Sequence, residues 1–347
     1  MKKRVYSLVL LIIIGIVITL VKERSLFFSI ISLLAGFILV LAASEVAVEG
    51  FKGFSEYTGL SEYVTGIVSS LASNLPEAVL ALFMVFSPHL KEVAILTVML
   101  ASAFNGLLLG ILVIMLTYKG ESIEIPREAL EQDVEIMRIT IAFSTIILGT
   151  GLILNIFHGS PYLPVEVPVF LLVAYLSYLY FISRGSKERV KNKNKQVRST
   201  KWVSFLVLGL LGILISAELI SGASEFLVHE LELHVVIAAT LIAFAGSIPE
   251  HGLALIGARK GHVELGVSNL ISGIVQSIML VFPILAIIIP VYLDGYVLYQ
   301  FLAIALTLWI VKKAIIDDGK LTLDEGVSIL MTHLLGIILF DELSWLI

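Results

Sequence analysis

Long apolar runs separated by short polar segments set the frame of this chain. A helix rising 1.5 Å per residue needs about 20 apolar residues to cross a bilayer's hydrocarbon. Eleven runs reach that scale, near 5–21, 26–50, 60–86, 91–117, 136–157, 164–183, 202–228, 235–257, 262–290, 296–314 and 326–345. The pattern predicts an all-α, polytopic membrane protein with about eleven transmembrane helices. The first run, VYSLVLLIIIGIVITLV, is followed by no small-residue cleavage site, so it is expected to remain as a helix rather than leave as a signal peptide.

The apolar pattern also repeats. Under a shift of 173 residues, Glu45, Leu60, Ala72, Pro76, Glu77, Leu80, Ala81 and Leu82 fall on Glu218, Leu233, Ala245, Pro249, Glu250, Leu253, Ala254 and Leu255. The two glutamates are 32 residues apart in both copies, Glu45 to Glu77 and Glu218 to Glu250. Counting spans puts 60–86 and 235–257 in opposite directions, so the copies are inverted. The expected organisation is an extra N-terminal helix (1–25), a five-helix repeat (26–183), a linker (184–201) and a second five-helix repeat (202–347). Inverted repeats with polar, proline-bearing helices at matching positions describe secondary transporters, whose site lies near the bilayer midplane where the repeats meet.

Charge orients the frame. Lys and Arg concentrate on the cytoplasmic side of membrane proteins, and the linker RGSKERVKNKNKQVRSTK is the most basic segment of the chain. Placing it inside puts the N-terminus in the cytoplasm and the C-terminus outside. All of the 23 Lys and Arg except Lys22, Arg24 and Lys91 then fall inside. The mixed-sign 118–135 segment becomes a short cytoplasmic loop. The linker is read as orienting the protein and joining its halves, with membrane lipid as the surrounding partner and no nucleic acid bound. The cell membrane is the expected location. Composition agrees, with 58% hydrophobic and 15% charged residues and a mean hydropathy of +1.02. The chain has no cysteine, which excludes disulfides, thiolate metal sites and Cys nucleophiles.

The chemistry lies where polar residues interrupt the greasiest runs, at SNLPEAVLALF and GSIPEHGLALI. A proline within a helix has no N–H, so the carbonyl four residues earlier loses its partner. Pro76 and Pro249 free the carbonyls of Ala72 and Ala245. In hydrocarbon such a carbonyl is tolerated where it lines a cavity or meets an ion. Glu77 and Glu250 are the central candidates, because ionisable residues inside a membrane are costly and functional by default. A buried salt bridge lacks partners, since no Lys or Arg lies in the middle of a predicted span. Two carboxylates and freed carbonyls form an all-oxygen set of the kind hard cations such as Ca²⁺ prefer. Without a metal, burial and mutual repulsion favour protonation; a divalent ion displaces the protons. One site can thus hold Ca²⁺ or about two protons, which is the chemical basis of an antiporter.

The following span in each copy adds neutral oxygens, Ser102 and Asn105 in the first and Ser272, Gln276 and Ser277 in the second. These residue types equally serve helix packing; placement after each glutamate favours Asn105 and Gln276 as ligands. Asn74 and Ser247, three residues before each glutamate, share its helix face and are further ligand candidates. His251 and the pair Glu45 and Glu218 are proton-path candidates. His251 also suits simple packing, and the two acids also suit a vestibule or the headgroup level. His229 and His234, in a short outer turn, are too loosely arranged to claim a metal site.

These segments, with KEVAILTVMLASAFNGLLLGIL and GARKGHVELGVSNLISGIVQSIMLVFP following the two motifs, resemble the alpha-repeats of the calcium/cation antiporter superfamily. The second copy is most similar to the cation/proton exchanger branch. That branch has a Gly-Asn-x-x-Glu core in each repeat, a His after the second Glu, and a later Gln ahead of a Val-x-Pro run. The corresponding positions here are Ser73–Glu77, Gly246–Glu250, His251, Gln276 and LVFP at 280–283. The resemblance covers most of 40–117 and 215–290. It implies Ca²⁺ exchanged for H⁺ with Glu77 and Glu250 as shared metal and proton ligands, and no cofactor beyond the transported ions. Ser73 and Ser247 depart from the Gly and Asn of the core, the Leu/Ile-Pro-Glu endings are more typical of the sodium/calcium exchanger branch, and the linker is basic where the family often has an acidic helix. The sodium-coupled branch adds an acid on the helix after each repeat Glu; here those positions are neutral, so protons are favoured over Na⁺. The alternatives are a sodium/calcium exchanger and, less favoured, a passive cation pathway. An intramembrane enzyme lacks a His-Glu-x-x-His motif, a Cys or a defined catalytic pair.

Overall fold

The computed structural model describes residues 2–21, 25–58, 62–120, 122–124, 127–159, 161–186, 201–259 and 263–345. Each predicted span overlaps a helix. In chain order these are α1 (Lys2–Leu20), α2 (Leu26–Thr58), α3 (Glu62–Phe86), α4 (Lys91–Thr117), α5 (Arg127–His158), α6 (Glu166–Ser186), α7 (Lys201–His229) and α8 (Val235–Arg259). The ninth span is divided into α9 (Val263–Gln276), a π-helical turn (Ser277–Val281) and α10 (Phe282–Ile288). Then come α11 (Gly295–Asp317), α12 (Leu323–Ile338) and α13 (Phe340–Trp345), the last two sharing the eleventh span. Stretches within α2, α4, α5, α7, α9–α10 and α11 are each long and apolar enough to cross a bilayer unaided. Large apolar side chains such as Leu10, Phe27, Ile153, Phe170, Val207 and Trp309 are exposed on the helix surfaces, as a lipid-facing exterior requires. The chain is therefore an all-α, multi-pass membrane protein.

Most of the basic linker, 187–200, lies outside the described residues. Two expected boundaries moved. The 118–135 segment is not all loop: α5 already begins at Arg127. The run REALEQDVE is rich in strong helix formers, so the helix continues beyond its apolar part. In the same way α2 runs on to Thr58, past the expected end near 50.

The helices fall into two compact units, Met1–Ala94 with Leu176–Ala238, and Ile95–Tyr175 with Ala239–Ile347. In the first unit α2 and α7 lie against each other along small residues. A Cβ on Gly209 would meet the Ala47 backbone nitrogen at 2.7 Å, and one on Gly212 the Ala43 Cβ at 2.7 Å. Backbone approach of this kind is how helices associate in lipid, where hydrophobic driving force between them is absent. The contact is reciprocal: Gly36 abuts Ile220 as Gly209 abuts Ala47. Residues 36 and 209, like 47 and 220, are related by the 173-residue shift, and such a swap is the mark of a two-fold arrangement. α1 closes the seam, with Leu8 and Ile12 buried among Leu39, Ala43, Val46, Ala47, Ile213 and Leu219.

In the second unit, α4 is the most deeply enclosed long helix, with 78% of its apolar window buried. A two-stranded antiparallel pair joins β1 (Ile123–Glu124) to β2 (Lys320–Leu321), tying the α4–α5 loop to the α11–α12 loop. A separate bridge joins Tyr162 to Tyr292, between the α5–α6 and α10–α11 loops. α4 and α12 cross closely at Gly110 and Gly326. A Cβ on Gly110 would lie 2.7 Å from the Leu330 nitrogen, and one on Gly326 3.0 Å from the Ile114 nitrogen.

Candidate functional site

α3 continues through Pro76 without a break, and α8 runs through the position of Pro249. Leu75 and Val79, one turn apart, pack against the α1–α2–α7 core. Glu77 is two residues from each, so it lies on the other side of α3, with Asn74 one turn before it on the same side. Glu77 is only 7% exposed and Asn74 is buried. Both make polar or electrostatic interactions within the protein. A carboxylate held this far from solvent in an apolar helix is costly unless its charge is matched or removed.

In the second unit, α4, α8 and α9 carry the other candidates. Ser102, Asn105, Ser247, Gln276 and Ser277 are all buried, and Ser272 is partly so. The Ser102 hydroxyl donates to the Ile274 carbonyl at 3.4 Å, linking α4 to α9 just before Gln276 ends the regular helix. Ser247 and Gln276 hold interactions of their own. Asn105 differs: it is fully buried, and neither its Oδ1 nor its Nδ2 has a partner among the described residues. An unsatisfied buried amide costs about 1–3 kcal/mol. A carbonyl oxygen kept in that condition suits a hard cation or a water bound to one.

Asn74 and Glu77 thus belong to one compact unit, and Ser102, Asn105, Ser247, Ser272, Gln276 and Ser277 to the other. Ala72, Ala245, Glu250 and His251 have helical backbone, but their side chains lie outside the described residues. Among the described residues no three His, Asp or Glu converge as a metal cage.

The proton-path acids lie elsewhere. Glu45 is half exposed and pairs with Arg4 of α1 at 3.3 Å, beside a small pocket that Glu49 also lines. An ion pair so exposed contributes about 0–1 kcal/mol. Glu218 lines a different, larger cavity, so the two acids do not share a vestibule wall.

Three pairings escaped the sequence reading. His89, between α3 and α4, packs edge-on against His229 at the end of α7, ring centroids 4.2 Å apart. Ser268 of α9 donates to Asp133 of α5 at 3.0 Å. His333 of α12 is buried against Gly106, next to Asn105, with its Nε2 2.8 Å from Thr307 Oγ1. Only the last had a usable signal, an ionisable residue inside an apolar span.

Comparison with known proteins agrees with this architecture. The family model described as sodium/calcium exchanger protein matches residues 28–184 and 200–340. An uncharacterized membrane protein of Methanocaldococcus jannaschii is 25% identical over 249 residues, 71% of this chain and 77% of that protein. A protein of Alkalimonas amylolytica, CaxA, named as a candidate antiporter, is 30% identical over 142 residues, 40% of this chain and 44% of its own length. Among solved structures, the H⁺/Ca²⁺ exchanger CAX superposes with a TM-score of 0.76 at 15% identity, covering 99% of this chain and 90% of that one. The sodium-calcium exchanger NCX_Mj gives 0.61 at 19% identity, covering 90% and 99%. At these identities the structural matches establish the fold alone.

Proposed function

This chain belongs to the sodium/calcium exchanger protein family, a family of cation transporters rather than enzymes, and from that premise we propose that it exchanges Ca²⁺, or a similar divalent cation, for H⁺. The exchange runs by alternating access at a site formed by Glu77 and Glu250. The observation that carries this reading is the charge pattern. Glu77 is a buried carboxylate, whereas the buried polar residues of the helices after each repeat motif, Ser102, Asn105, Gln276 and Ser277, are all neutral. Two carboxylates balance one divalent cation or two protons, and leave no surplus charge for several Na⁺ ions.

In this reading Asn105 and Gln276 supply neutral oxygens, and Asn74, Ser247, Ser102 and Ser272 support them. The carbonyls of Ala72 and Ala245 are freed by the prolines. His251, beside Glu250, serves the proton route. The N-terminus is cytoplasmic and the C-terminus outside, following the basic linker. The Leu/Ile-Pro-Glu endings favour a second reading, Na⁺/Ca²⁺ exchange by the same site.

Reconstituted protein separates the two. Ca²⁺ flux into proteoliposomes is expected to follow an imposed pH gradient at equal Na⁺, to saturate with Ca²⁺, and to ignore a Na⁺ gradient at fixed pH. Flux driven by Na⁺ alone would assign the second reading. Flux that needs no counter-ion would assign a passive pathway.

A further inference from the structure

A cavity of about 500 Å³ in the first unit opens among the ends of α1, α2 and α7 and the α3–α4 turn. Its lining includes Glu218, Glu225 and Glu230, together with His89 and His229, and no Lys or Arg among the described residues. Glu218 and Glu225 are seven residues apart, so they stand two turns apart on one face of α7. Ser29 and Ser32 of α2 line the same cavity. Both residues are more than nine-tenths buried, and their hydroxyls have no hydrogen-bond partner among the described residues. A roomy concavity that gathers three carboxylates and two unpaired hydroxyls, with no fixed positive charge among its described lining residues, favours positive charge, because low-dielectric walls focus such a field.

We propose that this cavity is a second, peripheral divalent-cation site, separate from the Glu77 helix, which holds a cation with part of its water shell still on. Direct ligation by the whole set is excluded by spacing. Two turns of helix separate Glu218 from Glu225 by about 10 Å along the axis, whereas two oxygens on one Ca²⁺ each sit about 2.3–2.6 Å from it. No three of the carboxylates and imidazoles converge as a cage among the described residues. Water bridges the remaining distance, with the Ser29 and Ser32 hydroxyls accepting from it.

His229 Nδ1 is 3.3 Å from Glu230 Oε1, and the His89 ring lies against His229. Lys22 and Arg24, in the α1–α2 turn, lie outside the described residues.

The site does not depend on the exchange reading, so its test avoids transport. Full-length E77Q/E250Q protein in detergent is titrated with Mn²⁺ at pH 8, and bound metal is read by electron paramagnetic resonance. One weakly held Mn²⁺ that keeps much of the signal of the hydrated ion is expected, with affinity falling at least tenfold in E218Q/E225Q added to that background. E225Q alone, nearer the end of α7, serves if the combined variant does not elute as a single species. No binding by E77Q/E250Q, or affinity unchanged by the Glu218 and Glu225 substitutions, overturns the proposal. Failure of the exchange reading shows separately, as normal gradient-driven flux by E77Q.

Discussion

E77Q is expected to reduce pH-driven Ca²⁺ uptake into proteoliposomes to the level of empty vesicles, with no loss of thermal stability. Gln preserves the shape of the side chain and a hydrogen-bonding oxygen, so packing around this 7%-exposed position should survive. The charge is what disappears. In the proposed site, Glu250 alone would leave a bound divalent ion with one uncompensated positive charge in a medium that screens it poorly. Removing one partner of a buried charge pair costs about 3–5 kcal/mol, roughly 100- to 4,000-fold in affinity. The proposed proton cycle would fail as well, because an amide cannot take up and release the second proton. A neutral side chain also lifts the cost of burying a carboxylate when no ion is present, so the melting midpoint should stay level or rise. Flux at the parental rate in E77Q would remove Glu77 from the mechanism.

The largest loss of stability is expected from Gly110→Val. The atoms a Cβ would meet there are backbone, the Leu330 nitrogen at 2.7 Å and the Gly326 carbonyl oxygen at 3.0 Å, and neither can rotate aside. α12 must move off α4. That movement strains the Thr307–His333 contact, 2.8 Å long, and uncovers the Gly106 surface on which His333 rests. Overpacking of this kind costs about 3 kcal/mol, and a stranded buried imidazole adds about 1–3 kcal/mol. Gly149→Val is the control: the same change on α5, where a Cβ meets nothing within 4 Å. A large drop in the melting midpoint for Gly110→Val beside a small one for Gly149→Val is the expected result. Equal drops would mean that the α4–α12 crossing is not the cause. Because Asn105 is little more than one turn from Gly110, transport should fall in step with stability.

Hydropathy alone located the helices well because lipid imposes one rule on every span. The fourth run was expected at 91–117, and α4 occupies those residues. The rule weakens where helices leave the membrane. Polar helix formers extend α5 back to Arg127, and an apolar-run criterion reads them as loop. Nothing in the run from 262 to 290 announces a π-helical turn, since a single inserted residue leaves hydropathy unchanged. Glu77 stood out because its cost in hydrocarbon is large and local. The unpartnered state of Asn105 depends on what its neighbours fail to offer, which one helix's sequence does not contain. His89 and His229 meet across about 140 intervening residues, and no periodicity links them.

The π-helical turn has one more consequence. α4 is regular from Lys91 to Thr117, whereas the segment proposed as its repeat counterpart is interrupted at Ser277–Val281, directly after Gln276. Such a turn accommodates one extra residue and rotates the downstream helix by about 100°. A carrier built from identical mirrored halves would be equally content open to either face of the membrane, because each form would be the other turned over. Here the flanking helices differ beside a proposed ligand, so that degeneracy is broken. The empty carrier should have a preferred resting side, and the two directions of turnover should run at different speeds under equal gradients.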